Sequence, residues 1–72
     1  MADNIDGNAV KIIEIMGVST TGFEDAVNQA VDKAAESING ITSVEVVRQT
    51  ATVRDGSVVR YEVTVKLAFA VR

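Results

Sequence analysis

From Val59 to the end of the chain, apolar and polar residues alternate. Tyr61, Val63, Val65, Leu67, Phe69 and Val71 take the odd positions, and Arg60, Glu62, Thr64 and Lys66 the even ones, followed by Ala68 and Ala70. Successive side chains of a strand point to opposite faces, so this pattern predicts one long strand with a wholly apolar side. The run is rich in Val, Tyr and Phe, follows a Gly and contains no Pro, which suits a half-buried pleated surface. Fifteen or so residues at about 3.3 Å each reach roughly 50 Å, longer than most strands.

The remaining elements fall around that strand. Val10-Lys-Ile-Ile-Glu-Ile-Met16 is β-branched and runs into Gly17, which predicts a first strand with neither face cleanly polar. Phe23, Ala26, Val27, Ala30, Val31, Ala34 and Ile38 recur at three- and four-residue steps, opposite a face of Glu24, Asp25, Asn28, Gln29, Asp32, Lys33 and Glu36. That is an amphipathic helix. Thr21-Gly-Phe-Glu24 has the form of a capping box at its start, with Ser19 or Thr20 as caps one turn earlier, and Asn39-Gly40 supplies a stop. A helix from Thr21 to Asn39 spans roughly 28 Å, well short of the last strand. The uncovered apolar face must bend, fray or meet another subunit.

Ile41 to Val53 predicts a second strand whose apolar side switches near Val46-Val47, a sign of a bulge. Arg54-Asp-Gly-Ser57 marks a tight hairpin into the last strand. The expected fold is α+β: a β-α-β-β subunit, a three-stranded antiparallel sheet packed on one helix. Residues 1–9 are expected to form a flexible tail and residues 10–72 a single domain.

Composition sharpens the oligomer argument. The chain has 72 residues, 47 % of them hydrophobic, but no Cys and no His. A core this small usually needs a disulfide, a metal or self-association, and thiolate and imidazole sites are both ruled out. Net charge is −3, with charges interspersed rather than gathered into the basic stripe that nucleic acid would need. No run is long and apolar enough for a membrane span, and Met1-Ala-Asp-Asn-Ile-Asp6 does not resemble a signal peptide. A soluble, cytoplasmic homo-oligomer with no nucleic-acid or membrane partner is expected.

Candidate chemistry is sparse. The hydroxyls of Ser19, Thr20, Thr21 and Ser43 lack a His or Cys partner, so an enzyme is not expected. Glu14, Glu45, Glu62, Asp25, Asp32 and Glu36 are hard oxygen donors that would suit calcium or another divalent cation where copies meet, although no calcium loop is present. A solvated acidic surface is the plainer explanation of them. Arg60, Glu62, Thr64 and Lys66, with Glu45 and Arg48 on the preceding strand, form either a ligand pocket or a set of cross-strand charge pairs.

The element order and several residues together resemble the dodecin family. Glu14 to Gly17-Val18-Ser19 is similar to a family strand ending in Gly-Thr-Ser, with Val18 in place of the Thr. The Ala-rich helix matches in place and length. Ser43-Val44-Glu45-Val46 stands where flavin-binding members carry a Trp-aromatic-Glu-Val stretch, and Tyr61-Glu62-Val63, continuing to Phe69, resembles the final strand with its Tyr-Gln and closing Phe. The resemblance implies a hollow homododecamer that stores a flavin (riboflavin, FMN or FAD) without chemistry. It places the cofactor site at Ser43, Glu45, Arg48 and Glu62. Two of these depart from the family pattern. Ser43 replaces the Trp that stacks on the isoalloxazine ring, and Glu62 replaces the Gln that hydrogen-bonds the ring's polar edge. Stacking on an aromatic plane contributes about 1–3 kcal/mol, and Ser43 supplies none of it. The alternative reading is a structural or cation-binding cage of the same fold.

Overall fold

The computed structural model describes residues 9–71, so the expected tail, apart from Ala9, lies outside the described residues. The chain runs β1 (Val10–Ser19), α1 (Phe23–Ala35), β2 (Ile41–Arg54) and β3 (Ser57–Ala70). The sheet order is β1-β3-β2, and both neighbours pair antiparallel to β3. β1 and β2 therefore run parallel to each other, joined by α1, with the amphipathic last strand filling the slot between them. The fold class expected from the sequence is the one observed.

The core forms where α1 crosses β3. Val63, Val65 and Leu67 are fully buried against Ala26, Ala30 and Ala34, with Ile13, Ile15, Val27, Val31, Ile38 and Ile41 packed around them. The Ala stripe lets the helix lie close to the sheet, and Gly17 shows how close. A Cβ at Gly17 would stand 1.9 Å from the Ala26 carbonyl oxygen and 3.0 Å from the Ala30 Cβ. Gly17 therefore does not end β1, as its sequence context suggested. The strand passes through it to Ser19, because a position without a side chain is what allows the helix to seat.

The helix is shorter than its periodicity suggested, at both ends. At the start, Gly22 is the cap residue in an extended conformation, and no side chain caps the helix. The capping box of Thr21 and Glu24 does not form. Instead the buried Ser19 hydroxyl accepts from the Thr21 and Gly22 backbone N–H groups at 2.9 and 3.3 Å, and donates to Asp25 Oδ2 at 2.7 Å. A residue of the strand has taken over the turn. At the far end the helix stops at Ala35, and Ser37 and Ile38 N–H both return to the Ala34 carbonyl at 3.1 and 2.9 Å. Ile38 joins the core from this turn, so its apolar spacing extended the helical pattern beyond the helix itself.

Thirteen helical residues cover about 20 Å. The molecule is 51 Å long. The mismatch inferred from sequence is thus larger than expected, and it leaves the hairpin end bare, with Val53 62 % and Val58 49 % exposed. That hairpin turns through Asp55 and Gly56, whose φ angles of 53° and 77° match a type I′ turn. The bulge expected near Val46-Val47 is present as a register shift between Val46 and Arg48, with two more between Ile41 and Ser43 and between Thr52 and Val53. The Val47 irregularity keeps Val44, Val46 and Ala51 on the helix side of the sheet, opposite Leu67, Val65 and Tyr61.

Replacing Gly17 with Ala drives a methyl group into helix backbone that cannot rotate away. The expected result is a loss of at least about 1–3 kcal/mol in urea unfolding. Wild-type stability in Gly17→Ala would mean that the helix has room to lift.

Candidate functional site

The face of the sheet away from α1 carries the polar side of β3. Across it, Lys66 lies between Glu14 and Glu45, Thr64 between Met16 and Arg48, and Glu62 between Val18 and Thr50. Ser43 pairs with Ala68 nearer one end. The four residues singled out by sequence, Ser43, Glu45, Arg48 and Glu62, therefore share one face. They do not share one pocket. The partner of Ser43, Ala68, stands six steps along β3 from Glu62, about 20 Å of strand. Ser43 instead lines a shallow cleft with Val31, Ile41, Thr42 and Val44. A single flavin ring is too small to touch both Ser43 and Glu62 of one subunit.

Glu62 is the ordered centre of this face. Its side chain is 9 % exposed although it carries a charge. Thr50 Oγ1 donates to Oε1 at 2.9 Å, while Thr52 Oγ1 and Arg60 Nε donate to Oε2 at 2.5 and 2.8 Å. Both oxygens are thus engaged within the subunit. These hydrogen bonds, from Thr52 first and then Arg60 and Thr50, together with the Arg60 charge, outweigh desolvation and hold the carboxyl below the usual glutamate range. Arg60 is 54 % exposed, so its outer nitrogens face solvent. Arg48 and Lys66 are both exposed. Of the two sequence alternatives for this face, the cross-strand polar network is the one formed within a single subunit.

Among the described residues, no three acidic side chains converge as a metal group would require. The helix acids are occupied or dispersed: Asp25 takes the Ser19 hydroxyl, and Glu36 pairs with Lys33 at 3.6 Å on the surface. Glu14 and Glu45 are the register partners of the same Lys66 on opposite neighbouring strands.

Thr50 and Thr52 were not singled out by sequence as partners of Glu62, and the reason is geometric. Counting back from the hairpin pair Arg54 and Ser57 without interruption would place Gln49 opposite Glu62. The shift between Thr52 and Val53 moves the register by one residue, and Thr50 takes that place. The sequence offers Ser19 as a helix cap or as a hydroxyl without a base; its role as a buried hub depends on where β1 ends.

A carboxylate held ionised by its neighbours stabilises the fold fully above its unfolded value of 4.5, and that contribution is lost as pH falls through the lower folded value. Wild-type protein should be more stable than Glu62→Gln near neutral pH, with the difference shrinking as pH drops below 4.5. Urea unfolding at a series of pH values measures this; a difference independent of pH would mean that the charge of Glu62 is not what the network holds.

A family model for dodecins matches residues 9–72. The calcium dodecin of Mycobacterium tuberculosis is 31 % identical over 62 residues, covering 86 % of this chain and 87 % of that protein. Its structure, described as that of a calcium-chelating antigen with a novel calcium-binding site, superposes with a TM-score of 0.79 over 89 % of this chain and 91 % of its own. The dodecin from Streptomyces coelicolor superposes more closely, at 0.90 and 26 % identity, over 94 % of this chain and 97 % of its own. A Trp-to-Phe variant of the Thermus thermophilus dodecin reaches 0.87 at 26 % identity, over 92 % of this chain and 98 % of its own. With the family match spanning the whole of the β-α-β-β unit, the chain belongs to the dodecin family.

Proposed function

We propose that this chain is the subunit of a hollow homo-oligomer, a dodecamer by family, that holds a small ligand in the cytoplasm and performs no chemistry on it. The observation that carries this reading is the apolar surface left bare on both sides of the sheet. Ile12 and Met16 are 58 % and 56 % exposed on the face away from the helix, and Val44 and Val46 are 42 % and 47 % exposed on the other. The second pair lies on the edge strand β2, beside rather than beneath the helix that buries their partners Leu67 and Val65, and bare apolar surface of this kind marks an interaction site.

Assembly can be tested apart from folding. Leu67, which the alternating pattern alone would offer as an assembly residue, is fully buried in the subunit core. A charge there has no partner and unfolds the subunit itself. Val46→Asp or Ile12→Asp changes an exposed position instead. Each should yield a folded, smaller species by light scattering and circular dichroism, while wild-type protein runs as a large homo-oligomer. A monodisperse wild-type monomer overturns the reading.

The family ligand is a flavin, and its binding here must proceed without the stacking residue. Ser43→Trp should tighten riboflavin, FMN or FAD binding roughly ten- to hundred-fold, as measured by flavin fluorescence quenching. Quenching by neither form eliminates the flavin. The second reading is a cage for calcium or another divalent cation, supported by the calcium dodecin relative and by Glu14 and Glu45 flanking Lys66. Acids from more than one copy would have to supply it. Calorimetric titration with calcium, on wild type and on Glu14→Gln, separates this cage from the flavin store.

A further inference from the structure

The segment joining α1 to β2 carries a reactive pair independent of ligand binding: Asn39 followed by Gly40. An asparagine amide is attacked at its Cγ by the backbone nitrogen of the next residue. The new N–Cγ bond closes a five-membered succinimide, and the side-chain amide leaves as ammonia, carrying the proton from the backbone nitrogen. Water then opens the ring. Cleavage at Cγ leaves an ordinary aspartate, and cleavage at the main-chain carbonyl leaves isoaspartate, with the backbone routed through Cγ. In a folded protein the reaction is limited by whether that nitrogen can reach Cγ.

Three features leave this nitrogen free to do so. Asn39 and Gly40 are both exposed and lie outside every helix and strand. The hydrogen bonds that hold the turn end at Ser37 and Ile38, which donate to Ala34, and among the described residues none of the turn bonds engages the Asn39 or Gly40 nitrogen. A Cβ placed on Gly40 would meet nothing within 4 Å, so the space around the attacking atom is open.

Among the described residues, two other candidate positions contrast with it. Asp55-Gly56 has the same spacing, but Asp55 is locked at φ 53° between the paired Arg54 and Ser57, and rotating it would open the hairpin. Its side chain is also a carboxylate, a poor electrophile when ionised. Asn28 precedes Gln29 inside α1, where the helix holds the following nitrogen.

We infer that Asn39 is a site of spontaneous deamidation, converting to aspartate and isoaspartate in the folded protein. Each conversion adds one negative charge to a chain of net charge −3. The isoaspartate form also inserts one backbone carbon between residue 39 and Gly40, just ahead of the first register irregularity of β2.

The test is incubation of the intact oligomer at body temperature and mildly alkaline pH, followed by peptide mass mapping. The expected product is a peptide spanning Asn39 that is about 1 Da heavier, part of it accepting a methyl group from protein isoaspartyl methyltransferase. Asn39→Gln, which would have to close a six-membered ring, should show no gain over the same interval. A synthetic peptide of residues 37–42 serves as the reference. If the peptide converts and the folded protein does not, or if the mass gain maps to another residue, the inference fails.

Discussion

Everything in this subunit depends on how closely the helix can lie on the sheet. Three alanines on α1 and the missing side chain of Gly17 bring the two backbones together, and Val63, Val65 and Leu67 fill what space remains. The contact is compact because its residues are small. It is also short: a 13-residue helix seals the middle of strands that run to 14 residues. The sheet projects beyond its cover, and the apolar residues it exposes there define the surface available to other copies.

The opposite face obeys a different constraint. With no helix over it, its polar residues must satisfy one another or water. Glu62 does so through two threonines of β2 and an arginine of its own strand, which tie the two arms of the hairpin together. The resemblance implied a ligand-contacting position here. Within one subunit the carboxylate has both oxygens engaged, so a ligand edge arriving at this point would compete with Thr50, Thr52 and Arg60. A neutral amide could offer such an edge a donor; an ionised carboxylate can only accept.

Much of the architecture was legible in the residues. The alternation from Tyr61 to Phe69, the Ala-rich stripe of the helix and the Asp55-Gly56 turn each have a local cause, and each identified its element. The errors fell at boundaries and at register. Thr21-Gly-Phe-Glu24 has the composition of a cap, but Ser19 reaches the turn first because the strand continues through Gly17. Ile38 fits a helical stripe and enters the core from a turn instead. A pattern of spacing cannot distinguish these, since both place an apolar group at the same depth.

The sequence by itself determined the element types, the hairpin, the absence of thiolate and imidazole chemistry, and the excess of apolar strand over helix. These follow from side-chain chemistry and from periods of two and 3.6 residues, which act locally. Only the tertiary structure decided that β3 lies between β1 and β2, that Thr50 rather than Gln49 faces Glu62, and that Ser43 and Glu62 stand about 20 Å apart. Each of these depends on pairing between distant segments, where a single bulge moves every later partner by one place.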